Sequence, residues 1–137
     1  FCAGAAISLG CGDNTYAALI TRGLTEIKRL STKLGAKSNT LFGLSGVGDL
    51  IVTCLSEHSR NRRAGKLIGQ GKTIEETRQE IGMAIESIDN IEVAKKLSEK
   101  LEVSMPIVDA VYDILYNNLK PDVAVKMLMA REKKMED

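Results

Sequence analysis

Apolar residues recur along most of this chain at steps of three and four, the spacing that gathers side chains on one face of an α-helix. Between Thr15 and Leu34 the set is Leu19, Ile20, Leu24, Ile27, Leu30 and Leu34, with Arg22, Glu26, Arg29 and Lys33 on the opposite, polar face. Asp13, Asn14 or Thr15 can cap the start of this helix, and Gly35 suits its end. Gly23 inside it costs about 1 kcal/mol relative to Ala, so close approach of another backbone is expected there. A short helix is predicted over Asp49 to Leu55. Thr73-Ile74-Glu75-Glu76 reads as a capping box opening another, since Thr73 and Glu76 can each satisfy a free backbone donor. Ile91, Ala94, Leu97 and Leu101 mark a further helix. Pro106 stands where a first helical turn accepts it, ahead of Ile107, Val108, Val111, Ile114 and Leu115. Pro121 likewise opens a last helix carrying Val123, Val125, Met127 and Leu128. The charged stretch Arg131 to Asp137 is expected to fray. No segment alternates with period two. The pattern predicts an all-α bundle of roughly seven to nine helices, forming one domain over residues 1–137.

Composition sharpens the picture mainly by exclusion. A chain of 137 residues can bury a real core. Its 19 basic and 18 acidic side chains nearly cancel, which argues against a global pull toward nucleic acid or an anionic membrane. No apolar run approaches the roughly 20 residues that span a bilayer. The opening Phe1-Cys2-Ala3-Gly4-Ala5-Ala6-Ile7 lacks an initiator Met and the basic residues of a signal peptide. So apolar a start reads as the middle of a buried helix, so the chain is expected to be a piece of a longer protein. Exposed apolar surface over Phe1 to Ile7 is expected to favour self-association. Cys2, Cys11 and Cys54 show neither paired spacing nor a partnered histidine, which indicates reduced core thiols rather than a metal site or a disulfide framework. His58, the single histidine, reads as a loop residue.

Two segments carry candidate chemistry. Gly43-Leu44-Ser45-Gly46-Val47-Gly48-Asp49-Leu50 sets one acid among glycines. It is not a dinucleotide fingerprint, because no strand precedes it and Ile51 occupies the place of a third glycine. A tight turn into the helix from Asp49 is expected, with Asp49 in the first turn, where the helix dipole and free amides favour a carboxylate. Thr53 shares its face. The residues alone leave Asp49 either a structural N-cap or an active-site acid. Ser59-Arg60-Asn61-Arg62-Arg63 fits an anion site at a helix start: Ser59 can cap, Asn61 adds an amide donor, and Arg60 can grip two phosphate oxygens. A solvated basic face continued by Lys66 is the competing reading.

Taken with Gly12-Asp13-Asn14-Thr15-Tyr16-Ala17-Ala18-Leu19-Ile20-Thr21-Arg22-Gly23-Leu24, these segments closely resemble the C-terminal half of NAD(P)-dependent glycerol-3-phosphate dehydrogenases. The resemblance is strong from about Gly4 to Arg63 and looser to about Arg131. It implies a helical substrate-binding domain like the C-terminal domain of 6-phosphogluconate dehydrogenase, working beside its own N-terminal Rossmann domain in a cytoplasmic enzyme, with a homodimer compatible. It further implies interconversion of dihydroxyacetone phosphate and sn-glycerol 3-phosphate with NAD or NADP, supplying glycerophospholipid synthesis. By carry-over Asp49 is a catalytic and substrate-binding residue, and Thr53 is its neighbour. Ser59, Arg60 and Asn61 bind glycerol 3-phosphate. Arg60, Ala84 and Glu86 meet the cofactor, the last two within Ile81-Gly82-Met83-Ala84-Ile85-Glu86.

The sequence departs from the family pattern in two respects. The family's catalytic lysine lies just ahead of Phe1, and Ser87 stands where glycine is usual. Three rivals remain: a pure dimerisation module, which fits the helices but not the motif set, the helical domain of another two-domain NAD(P) dehydrogenase, and a nucleic-acid-binding module built on Arg60, Arg62, Arg63 and Lys66. The last would want stacking aromatics, but Phe1, Phe42, Tyr16, Tyr112 and Tyr116 all lie away from the basic cluster in sequence.

Overall fold

A computed structural model describes residues 1–131, so the rest of the tail expected to fray lies outside the described residues. Those residues form nine α-helices and no strand: α1 (Cys2–Ser8), α2 (Asp13–Lys33), α3 (Asp49–Leu55), α4 (Arg60–Gly69), α5 (Ile74–Ile81), α6 (Glu86–Asp89), α7 (Ile91–Lys100), α8 (Pro106–Tyr116) and α9 (Pro121–Ala130). The all-α expectation holds. So do the capping box at Thr73 and Glu76, both of whose hydrogen bonds form, and the two prolines in first helical turns.

The centre of the molecule is the crossing of α1 and α4. A Cβ on Gly4 would overlap the carbonyl of Arg62, and one on Gly65 would overlap the carbonyl of Phe1. These glycines are present because the two backbones touch, and Ala3, Ala5, Ala6 and Ala64 around them are all buried. The apolar opening of the chain is therefore packed into the molecule, contrary to the expectation of an exposed sticky surface there. From this crossing the core extends on one side through Leu67, Ile68, Ile81, Ile85, Ile88, Ile91, Val111 and Leu115. On the other side Leu19, Ala110, Ala124 and Leu128 close against Ala6. Burying an aliphatic side chain such as Ile85 or Ile88 contributes about 1.5 to 3 kcal/mol.

Helix α2 departs from its sequence reading in three places. It starts at Asp13 with Gly12 as N-cap and without a side-chain cap, so neither Asp13, Asn14 nor Thr15 performs that task. Gly23 faces the Ile107 side chain, 3.8 Å from where a Cβ would stand, and no backbone crowds it. Most consequential, the polar face is only partly solvated: Lys33 is exposed, but Arg22, Glu26 and Arg29 hold other elements. Glu26 is only 4% exposed and accepts hydrogen bonds from the amides of Ile107 (2.5 Å) and Val108 (3.4 Å) in the first turn of α8. Arg22 donates to the carbonyls of Leu128 and Arg131, and Arg29 to that of Ser104. One long helix thus ties off a helix start, a helix end and a loop, satisfying backbone groups that helix termini leave bare. Its stop is as expected: Gly35 follows at φ +90°.

Candidate functional site

The glycine-rich segment is helical rather than a tight turn. A 3-10 turn over Ser38–Phe42 leads into a π-helical turn over Leu44–Gly48, which runs directly into α3. The place of Gly46 is set by sterics, since a Cβ there would overlap the Leu41 carbonyl. Gly48 already has helical dihedrals, and backbone amides at this junction bond back to the carbonyls of Leu44 and Gly46. Asp49 is therefore neither an N-cap nor surrounded by free amides. It is an exposed carboxylate on the first turn of α3, with Thr53 half-buried one turn on.

A four-residue link joins α3 to helix α4, which packs against it. Ser59 is its N-cap, accepting from the amide of Arg62 at 3.2 Å, as the residue type predicts. Arg60 and Asn61 follow in the first turn, where free amides and the helix dipole favour an anion. Both reach the start of α6. The Arg60 guanidinium pairs with the Glu86 carboxylate at 2.7 Å, and the Asn61 side-chain oxygen accepts from the Ser87 amide at 2.9 Å. The fold thus brings together Ser59, Arg60, Asn61 and Glu86, four of the expected site residues. Ala84 is exposed two residues before Glu86, and Asp49 and Thr53 lie on the adjacent α3. The unusual Ser87 leaves its contact with Asn61 intact, because that contact uses only the backbone.

The basic cluster is not one uniform solvated face. Arg63 and Lys66 are exposed, whereas Arg62 is half-buried and its Nε has no hydrogen-bond partner among the described residues. His58 is an exposed loop residue whose amide donates to Ser56 Oγ. Surface grooves at α5 (Ile74, Glu75, Arg78, Gln79) and between α8 and α9 contain none of the expected site residues. The participation of Ser87 was not visible in the sequence, since a backbone donor leaves no mark on residue type.

Comparison with known proteins bears on what this arrangement belongs to. The model of the NAD-dependent glycerol-3-phosphate dehydrogenase C-terminus matches residues 1–126. The chain belongs to that family. It is 53% identical to a glycerol-3-phosphate dehydrogenase [NAD(P)+] of Clostridium perfringens over 98% of this chain and 41% of the relative. With the Bacillus subtilis protein of the same name, identity is 53% over 98% of this chain and 40% of the relative. The crystal structure of glycerol-3-phosphate dehydrogenase from Coxiella burnetii superposes with a TM-score of 0.92 at 44% identity, covering 95% of this chain and 40% of that one. The chain thus spans about two fifths of the length of these glycerol-3-phosphate dehydrogenases. Among the described residues no helix is long and apolar enough to cross a membrane.

Proposed function

We propose that residues 1–137 form the substrate-binding domain of a cytoplasmic enzyme that interconverts dihydroxyacetone phosphate and sn-glycerol 3-phosphate with NAD or NADP. The observation that carries this reading is the cluster at the start of α4. A capped helix N-terminus, a guanidinium and a carboxamide are neighbours there in the first turn, a donor set that suits a phosphomonoester of about −1.5 to −2 charges. The Arg60–Glu86 pair is open to solvent, its side chains being 35% and 51% exposed, so it contributes at most about 1 kcal/mol and yields readily to a dianion.

In this reading Ser59, Arg60 and Asn61 hold the phosphate end and so orient the carbonyl carbon, turning binding energy remote from the reaction into rate. Asp49, with Thr53 beside it, orients the substrate hydroxyl and the family's general-acid lysine, which residues 1–137 do not include. The nicotinamide supplies or accepts the hydride. Its contacts in this domain are Arg60, Ala84 and Glu86: Ala84 and Glu86 are exposed, and the Arg60 guanidinium is the cation of the set that can meet an anionic cofactor. The rest of the cofactor falls to a Rossmann domain. The exposed side chains of Phe42, Leu44, Val52 and Leu55, on the segment that ends beside α4, suit coverage by such a domain. The reduced thiols Cys2, Cys11 and Cys54 accord with a cytoplasmic setting.

The test is Arg60→Lys in the full-length enzyme. A point charge cannot reproduce a two-pronged grip, so kcat/KM for dihydroxyacetone phosphate is expected to fall roughly ten- to a hundredfold. For dihydroxyacetone, which lacks the phosphate, the loss is expected to be much smaller. Equal losses on both substrates would remove Arg60 from the phosphate site.

A further inference from the structure

The site reading makes Asn61 a ligand, but a carboxamide can present either its oxygen or its nitrogen, with opposite consequences for an anion. Here the choice is made by a neighbour. The amide of Ser87 can only donate, so the atom it meets at 2.9 Å is the Asn61 carbonyl oxygen, and the Nδ2 group is left as the free end. Ser87 is the second residue of α6, where a helical amide has no partner within its own helix. The contact therefore satisfies a bare donor on α6 while aiming a donor on α4. One residue before it, Glu86 grips the neighbouring Arg60 at 2.7 Å. Two consecutive residues of α6 thus hold two consecutive residues of α4.

We propose that Ser87 is a positioning residue of the anion site: its backbone N–H locks the Asn61 carboxamide with Nδ2 facing the ligand. This rests on the phosphate-site reading above. A carboxamide free to rotate would spend part of its time offering an oxygen to a dianion; the locked one offers only a donor.

The decisive variant is Asn61→Asp in the full-length enzyme. An aspartate keeps an oxygen for the Ser87 amide, so folding is retained, but it places a negative oxygen where Nδ2 stood. Compared with Asn61→Ala, it is expected to keep the wild-type melting temperature, whereas the alanine variant, which strands the Ser87 amide, melts lower. Its KM for dihydroxyacetone phosphate is nonetheless expected to rise further than the alanine variant's, by at least roughly tenfold over wild type. Competition by inorganic phosphate should disappear, and kcat/KM for dihydroxyacetone should stay close to that of Asn61→Ala. An Asn61→Asp enzyme that binds the phosphorylated substrate as tightly as wild type, or that melts as low as Asn61→Ala, overturns the proposal. If Arg60→Lys also spares the phosphorylated substrate, the phosphate site itself is wrong. If Arg60→Lys fails selectively and Asn61→Asp does not, only the positioning role is lost.

Discussion

Thr77 is wholly buried, and its hydroxyl finds no hydrogen-bond partner among the described residues, in a core otherwise lined by Ile81, Ile85 and Ile88. A stranded hydroxyl costs free energy that a methyl group does not. Thr77→Val is therefore expected to stabilise the domain by about 1 kcal/mol, read as a raised denaturant midpoint at unchanged slope. Gly65 gives the opposite case. Any side chain there meets the backbone of α1, which cannot rotate aside as a side-chain tip would. Gly65→Ala is expected to cost about 1 to 3 kcal/mol in the same measurement. Neither residue announced itself in the sequence. Thr77 sits in a well-read capping-box helix, and Gly65 sits inside a charged motif, but what each touches comes from a distant segment.

Among the helices, sequence patterns were most legible where a local rule acts alone. The capping box at Thr73 and the proline starts of α8 and α9 need only their own first turns, and they form as read. Helix α2 was misread on its polar face for the complementary reason. Nothing local tells a solvated glutamate from one that caps another helix, and the partner of Glu26 lies 81 residues away. That cap has a consequence for pH. Burial pushes the Glu26 carboxyl up to about 7 from 4.5, and nearby Asp109 adds to this. The Ile107 and Val108 amides and Arg29 only partly oppose the rise. Between about pH 4.5 and 7 the folded chain holds a proton that the unfolded chain has released. The contribution of Glu26 to stability therefore falls as pH rises through that window and is level above it. Glu26→Gln, which keeps an acceptor for the Ile107 amide, is expected to abolish this slope. At pH 8 it should be more stable than wild type by up to about 3 kcal/mol. Unfolding curves at a series of pH values would read both effects, and an unaltered slope would show that Glu26 does not titrate there.

Over the whole molecule, the helical class and the Ser59–Asn61 helix start were readable because a cap and a charge cluster are properties of one segment. The convergence of α4 with α6 was not, since it depends on how the chain returns after α5, and neither was the location of the exposed apolar surface. That surface is not at the apolar opening, which the α1–α4 crossing buries. It lies on the segment around the π-helical turn, where Leu44 is 91% exposed and Phe42, Val52 and Leu55 are more than half exposed. Monomeric proteins seldom leave such side chains clustered in water, because each loses the gain of burial. The 137-residue chain alone is therefore expected to self-associate through this region. Sedimentation velocity at increasing concentration should show a rising mean mass, and Leu44→Lys with Val52→Lys should suppress it while leaving the helical circular dichroism unchanged. Lysines at these places cost little in the isolated domain because both side chains already face solvent. Association that survives the double variant would assign the interface elsewhere on the molecule. The exposed Met127 and Val123 of α9 would be the next surface to test.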